Sequence, residues 1–496
     1  MTTVFLSILP ILILLVGIGM LNRSTIVVSP IGWIASLLIG VHFFNMKWDA
    51  GLNGSILGGL NGFGLVWIIF PILFLYQMLN HIGTLDKLRK AITNLTEDSF
   101  VQFALLGFGF VLFINGIAGF GSSGALTATM LNSLGLSPVV SGAMVLLGVT
   151  AGTYTGSLGF SALATARAFN IPLDTLTSYW ATQMPWWALL TPLVLAWFLD
   201  GISGLKKNWF SAVVLGIGGA FGMWLALYLG WYQLVDVSAG IFAMIAGLVY
   251  IGIRRMSGRE SHQSVKLSLS EKFTAFFPFV FLFAVVIITQ TIPVIKTTLS
   301  KFVFRWTIAQ GSVWRFDYLN QPGIWVLLTV VLLAIIFKVG YSDFNLLLQK
   351  AVKQSWRPAM ALGFVMAMAS VMTVSGMNLA LAKTVAAGLG IGYIFIMPII
   401  AAVGTYAGGN STASTMMLGA FHMAYAKLLG LDPILILTLT AVAANVTNNI
   451  APPKMVTVLA AVGGAGRDAE MLKKMLGPVA VFMVINIILV AVKVFM

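Results

Sequence analysis

The feature that most restricts this chain is the recurrence, from Val4 to Val494, of apolar stretches long enough to span a lipid bilayer, which takes about 20 mostly apolar residues in a helix. Clear runs lie at Val4 to Leu21, Ile26 to Phe44, Leu65 to Leu79, Phe100 to Ile114, Trp186 to Leu199, Phe210 to Leu229, Ile241 to Ile253, Phe273 to Pro293, Ile324 to Phe337 and Val479 to Val494. Of the 496 residues 59% are hydrophobic and 8% charged, whereas soluble domains carry about 25% charged residues. No water-soluble fold could hide so much apolar surface. The expectation is an all-α, polytopic integral membrane protein, multi-pass in a bacterial-type cell (cytoplasmic) membrane. Roughly 12 to 14 membrane segments are expected, counting re-entrant and broken helices.

The formal charge of +14 would suggest a nucleic-acid partner in a soluble protein. Here no nucleic acid is expected, because the basic residues of a membrane protein gather in its cytoplasmic loops. The clusters fit that pattern at Lys87, Arg89 and Lys90, at Lys206 and Lys207, from Arg254 to Lys272, and at Lys350, Lys353 and Arg357. The stretch Lys296 to Arg315 fits less well, since counting spans puts its four basic residues outside. Cysteine is absent, which removes disulfides, thiolate metal sites and cysteine nucleophiles. Residues 1 to 21 lack a basic start and a small-residue cleavage site, and read as a retained first span.

Two stretches, roughly 115 to 170 and 404 to 465, are membrane-like in length yet crowded with Gly, Ser, Thr, Asn and Pro. They match each other. Gly135-Leu136-Ser137-Pro138 pairs with Gly430-Leu431-Asp432-Pro433, and the same distance beyond each proline a polar run begins, at Thr150 and at Asn445. Gly119 with Gly408, and Gly83 with Gly376, repeat at nearly the same offset. The pattern predicts a two-fold internal repeat, with a first membrane unit over 1–253, a polar basic loop over 254–272 and a second unit over 273–496. Inversion is the usual arrangement for carriers of this kind.

Irregular backbone at membrane depth survives only inside protein or beside an aqueous cavity. Gly116 to Gly124 therefore predicts a break within 115–134, with a half-helix from Ala125 to Leu134. Gly408-Gly409-Asn410-Ser411-Thr412 predicts another within 404–429, with a half-helix from Ala413. A half-helix starting inside the membrane aims unpaired N–H groups and about half a positive charge at its neighbour, which suits an anion. The expected substrate site draws on Asn115, Gly119, Gly121, Ser122 and Ser123 at the first break, and on Asn410, Ser411 and Thr412 at the second. The following polar runs add Thr153 and Thr155, then Asn445, Thr447, Asn448 and Asn449, with Arg167 and Lys454 as sources of positive charge. Ser122, Ser123, Ser411 and Thr412 stand where N-cap hydroxyls would sit. The competing reading is close helix packing through small residues. His422 reads as a packing histidine facing a neighbouring span.

Gly116-Ile117-Ala118-Gly119-Phe120-Gly121 resembles the E-G-A-A-G-F-G signature of the bacterial L-lactate permease family. Gly408 to Ser414 is similar to that family's G-S-D-T-S-S-N segment, and Ile450-Ala451-Pro452 through Ala460-Ala461-Val462-Gly463 to its I-S-P…A-A-V-G stretch. The resemblance covers about a quarter of the chain with specific motifs. It implies a many-spanned, proton-coupled symporter of L-lactate and related 2-hydroxy monocarboxylates, with no cofactor. The chain departs from the pattern at its acidic residues, which are Asn115 and Asn410 here. None of its 14 acidic residues falls in the middle of a clear run; Asp200 and Asp236 lie nearest, at segment ends. Arg167 and Lys454 replace neutral residues. The expected partners are a small organic anion, a coupling proton or cation, and the lipid bilayer. The alternative is a carrier or exchanger of another organic anion, a dicarboxylate or sulfonate, without proton coupling. An enzyme is disfavoured: the histidines at 42, 81, 262 and 422 neither pair nor approach acidic residues at ligand spacing, and no metal site is expected. A channel remains a remote option.

Overall fold

The computed structural model describes residues 2–19, 21, 23–64, 66–92, 95–118, 122–152, 154–258, 268–308, 313–408 and 410–495. The first half runs through α1 (Thr2–Gly19), α2 (Thr25–Phe43), α3 (Trp48–Gly64), α4 (Val66–His81), α5 (Thr84–Ile92) and α6 (Ser99–Ala104), then a π-helical turn, Leu105–Phe110. There follow α7 (Val111–Ala118), α8 (Ser122–Ser133), α9 (Pro138–Gly148), α10 (Phe160–Ala168), α11 (Leu173–Ala181), α12 (Met184–Tyr228) and α13 (Val235–Met256). The second half holds α14 (Leu269–Thr291), α15 (Pro293–Leu299), β1 (Phe304–Thr307), β2 (Val313–Phe316), α16 (Pro322–Ile336), α17 (Tyr341–Val374) and α18 (Met377–Leu389). It ends with α19 (Tyr393–Gly408), α20 (Ser411–Leu428), α21 (Pro433–Asn448), α22 (Pro452–Ala461) and α23 (Asp468–Phe495).

Among the described residues nine helical stretches are long and apolar enough to cross a membrane, and α21 with α22 forms a tenth, bent by 40°. Large apolar side chains stand exposed along them, such as Ile217 on α12, Val280 on α14 and Val484 on α23. In water such exposure would be costly; against lipid it is the expected outer face. One of the nine, α12, is not a single rod. Asp200 and Gly201 leave helical geometry, Gly201 at φ +62°, a region open chiefly to glycine. The chain doubles back there, so that Gly204 meets the Ala196 carbonyl and Gly216 the Leu189 backbone. The separate runs seen from Trp186 to Leu199 and Phe210 to Leu229 are thus the two limbs of a hairpin.

The helical architecture carries one small strand element among the described residues. Phe304–Thr307 and Val313–Phe316 pair as an antiparallel hairpin, with Phe304 opposite Phe316 and Arg305 opposite Arg315. Alternation puts Phe304, Trp306, Trp314 and Phe316 on one face and the arginines on the other, a period of two that a strand satisfies. Trp314 donates to Asn61 Oδ1 at 3.1 Å, docking the hairpin on α3. The basic stretch from Lys296 to Arg315 is therefore α15 and this hairpin, with both hairpin arginines exposed. The two halves also interleave, since α17 packs along α2, α3 and α4 and touches α20.

Candidate functional site

The break expected within 404–429 is present at Asn410, which leaves helical geometry; the one expected within 115–134 centres on residues 119–121, which lie outside the described residues. α7 ends at Ala118 and α8 begins at Ser122; α19 ends at Gly408 and α20 begins at Ser411. Ser414 Oγ donates to the Ala401 carbonyl at 3.1 Å, so α20 folds back along α19 as a hairpin. The N-cap of α20 is Asn410, whose Oδ1 accepts from the N–H groups of Thr412 (2.9 Å) and Ala413 (3.3 Å). This corrects the expectation of capping hydroxyls and free amides at that end: Ser411 and Thr412 lie inside the helix, and the asparagine occupies two of its amides. Removing that cap in Asn410→Ala should cost about 0.5–2 kcal/mol, read as a lower unfolding temperature in detergent. At the first break, Gly119 and Gly121, and further on Thr153, lie outside the described residues, as does the side chain of Ser122.

The described residues flanking the two stretches both pack on the chain that runs from the end of α9 into the start of α10. Between those helices that chain is unwound, with a 3₁₀ turn at Val149–Ala151, another at Ser157–Gly159, and Leu158 held in left-handed geometry at φ +46°. It is buried, as irregular chain at membrane depth must be. Its side chains reach in several directions. Thr150 Oγ1 accepts from Asn449 Nδ2 (2.7 Å), Ser157 Oγ donates to the Asn115 carbonyl (2.8 Å), and Thr155 Oγ1 donates to Asp236 Oδ1 (2.6 Å). Just beyond it, at the start of α10, Ser161 shares a hydroxyl–hydroxyl bond of 2.7 Å with Thr412. Asn115 donates to Asp236 Oδ2 (3.0 Å), and Ser123 Oγ donates to Asn115 Oδ1 (3.4 Å). The expected residues therefore divide. Asn115, Ser123 and Thr155 gather around Asp236, whereas Ser411, Thr412 and Asn445 gather around a pocket.

That pocket is small and lies between Tyr154, Ser161, Thr165 and Trp180 on one side and Ser411, Thr412, Thr415, Ala441 and Asn445 on the other. Tyr154 Oη, Trp180 Nε1 and Asn445 Oδ1 are buried and have no hydrogen-bond partner among the described residues. A buried polar group left unpaired costs about 1–3 kcal/mol, and three of them border this one pocket. Their positions are firmly set. The Tyr154 ring packs on Trp187, centroids 6.4 Å apart, and Trp187 on Phe482 at 5.6 Å. Tyr179 donates to the carboxylate of Asp432, the N-cap of α21, which seats α11 against α21 and turns the neighbouring Trp180 inward.

Other expected residues lie elsewhere. Arg167, at the end of α10, reaches Asp317 at 3.6 Å and lies 5.7 Å over the Phe316 ring. Its charge is engaged by the turn after β2. Lys454 stands in the first turn of α22, partly buried, where the helix dipole disfavours a cation. Thr447 Oγ1 donates to the Ala402 carbonyl at 3.0 Å, and Asn448 is buried with its Oδ1 unpaired among the described residues. His422 lies between Thr440 Oγ1 (2.8 Å from Nδ1) and Tyr393 Oη (2.9 Å from Nε2). Because the Thr440 hydroxyl donates to the Ile436 carbonyl, it accepts from Nδ1–H, leaving Nε2 to accept from Tyr393. The histidine ties α20 to α21 and to Tyr393, as its packing reading required.

A family profile described as L-lactate permease matches residues 3–496. The chain belongs to the L-lactate permease family. It is 24% identical to the glycolate permease of Escherichia coli (strain K12) over 94% of this chain and 91% of that protein. With the L-lactate permease of Bacillus subtilis (strain 168) it shares 24% identity over 88% of this chain and 86% of that one. It is similar to the solved YdaH transporter of Alcanivorax borkumensis, with a TM-score of 0.48, 14% identity, and 88% of this chain and 86% of that chain covered. The molecule is a multi-pass membrane transporter and not an enzyme. The motif resemblance at Gly116–Gly121 pointed to the right family. It did not point to Tyr154, Trp180, Ser161, Thr165 or Thr415. Of these only Tyr154, embedded in the run Thr150 to Thr155, carried a local signal; a tryptophan such as Trp180 reads the same whether it faces a pocket or the membrane interface.

Proposed function

We propose that this transporter carries a small 2-hydroxy monocarboxylate, of the lactate and glycolate class, across the cytoplasmic membrane through the pocket between Tyr154 and Asn445. The carrying observation is the complement of unpaired groups: two buried donors, Tyr154 Oη and Trp180 Nε1, and one buried acceptor, Asn445 Oδ1. A carboxylate accepts two hydrogen bonds and a 2-hydroxyl donates one. The Ser161–Thr412 hydroxyl pair can turn to serve either group. The named relatives, permeases for glycolate and for L-lactate, act on acids of that kind. The pocket lining is neutral and the Arg167 charge is engaged by Asp317, which favours a monocarboxylate over a dicarboxylate. We also take the two matching stretches as counterparts of a duplicated architecture, 1–253 and 273–496 joined by 254–272. In support, Gly135 and Gly430 are both left-handed, each followed by a capping Ser137 or Asp432 and a proline opening the helix.

Counterflow in proteoliposomes tests the substrate. Lactate and glycolate should exchange at least tenfold better than propionate and acetate, consistent with about 1–3 kcal/mol for an acceptor left unpaired by the missing hydroxyl. Asn445→Ala should erase most of that preference. Succinate or a small sulfonate outcompeting lactate would refute the assignment.

A further inference from the structure

Neither motif carries a carboxylate, yet the fold supplies one. Asp236, placed by its sequence at a segment end, is 2% exposed in the first turn of α13. Thr155 donates to one of its oxygens and Asn115 to the other. Two glycines leave room for it. A methyl group on Gly152 would come within 3.0 Å of its carboxyl carbon, and one on Gly116 within 3.0 Å of its Cβ. Position 115, where the family pattern has an acid, is in direct hydrogen-bond contact with this aspartate from another helix.

We propose that Asp236 is the proton-coupling group of the transport cycle, standing in for the carboxylate absent from position 115. This rests on the reading of the neighbouring pocket as the anion site. A charge buried in low dielectric needs a counter-charge or a proton, and among the described residues no cation pairs with Asp236. The charged groups of the elements around α13 lie away from it. Arg254, on α13 itself, pairs with Asp98 near the opposite end, with Arg255 beside it. The second limb of α12 runs antiparallel to α13, with Gly222 on Ser238 and Gly218 on Phe242, which sends Lys206 and Lys207 toward that same far end and Asp200 to the α12 break. The titratable neighbours in chain are the phenols Tyr154 and Tyr232.

The geometry selects a proton over a metal ion. Calcium takes six to eight oxygen ligands, whereas the aspartate oxygens here are already held by a hydroxyl and an amide NH₂, and a proton needs one oxygen. The Asn115 orientation is fixed by Ser123, which donates to its carbonyl end. The link to substrate is short. Thr155 follows Tyr154 directly, and the Thr155 carbonyl accepts from the Ser161 N–H at 2.8 Å. Tyr154 and Ser161 both line the pocket. Proton uptake turns one Asp236 oxygen from acceptor to donor, so the Thr155 hydroxyl must reverse on the same unwound backbone that carries Tyr154.

The test is L-lactate transport in proteoliposomes in two modes, accumulation driven by an imposed pH gradient and counterflow at equal pH. Asp236→Asn, which keeps the shape and loses the titration, should lower driven accumulation more than tenfold and leave counterflow within about threefold. The double variant Asn115→Asp with Asp236→Asn, which moves the acid back to position 115, should recover accumulation. Full driven accumulation by Asp236→Asn alone overturns the proposal, as does failure of the double variant to recover it while counterflow persists. Loss of both modes in both variants assigns Asp236 to folding and also overturns it. Failure of the pocket reading shows separately, as normal counterflow in pocket variants with Asp236 intact.

Discussion

Replacing Tyr154 and Trp180 together by phenylalanine should cut lactate uptake at low substrate concentration by about 100-fold or more, with the protein still folded. In the proposed site each change removes one donor to the substrate carboxylate, and a hydrogen bond to a charged group is worth about 1.5–3 kcal/mol. The two donors face one pocket, so the effects will not simply add. The diagnostic part is stability. Tyr154 Oη has no partner among the described residues, so Tyr154→Phe removes an unpaired buried hydroxyl while keeping the ring against Trp187. Its unfolding temperature without substrate should hold or rise as transport falls, the pattern expected where a protein gives up stability for a prepared site. Uptake kinetics and thermal unfolding on the same preparation check both halves. Unchanged uptake would remove the pocket from the transport path.

The largest expected loss of folded protein is in Gly148→Ala. Gly148 ends α9 against the Gly107 carbonyl of the π-helical turn, and a methyl group there would overlap that oxygen. Both partners are backbone, so no side chain can swing aside. Overpacking a well-filled interior costs about 1–3 kcal/mol and at times more, and here the strain falls on two helix backbones at once. The level of monodisperse protein extracted from membranes should fall several-fold, with a matching drop in unfolding temperature. Because Val149 to Thr155 continues directly from Gly148, any protein that does fold should also transport poorly. Wild-type yield and stability in Gly148→Ala would show that the α9 contact with the π turn is looser than described.

The break at Asn410, the half-helix that follows it, and the paired Gly-Leu-x-Pro turns at 135 and 430 were legible because glycine, proline and capping residues act on their own stretch of backbone. Asn410 shows how far that reach extends. The break was evident, but whether its first amides wait for a ligand or are met by the asparagine depends on one rotamer. Asp236 marks the boundary more sharply. At the start of an apolar run it resembles any acid at a membrane edge, and only the approach of Asn115, Thr155, Gly116 and Gly152 from two other stretches makes it central. The β1–β2 hairpin escaped notice because eight residues of alternating aromatic and basic character are a weak signal beside the long apolar runs.

The residues alone determined that this chain lives in a bilayer as a many-spanned helical protein with two interrupted, hydroxyl-rich segments, and their motifs pointed to its family. Hydropathy and backbone freedom are local properties, summed along the chain before anything packs. Tertiary structure alone decided that these segments border two adjoining places, a neutral pocket at Tyr154, Trp180 and Asn445 and the buried Asp236. A site of that kind exists only where side chains distant in sequence come within hydrogen-bond reach, and helix packing sets that reach.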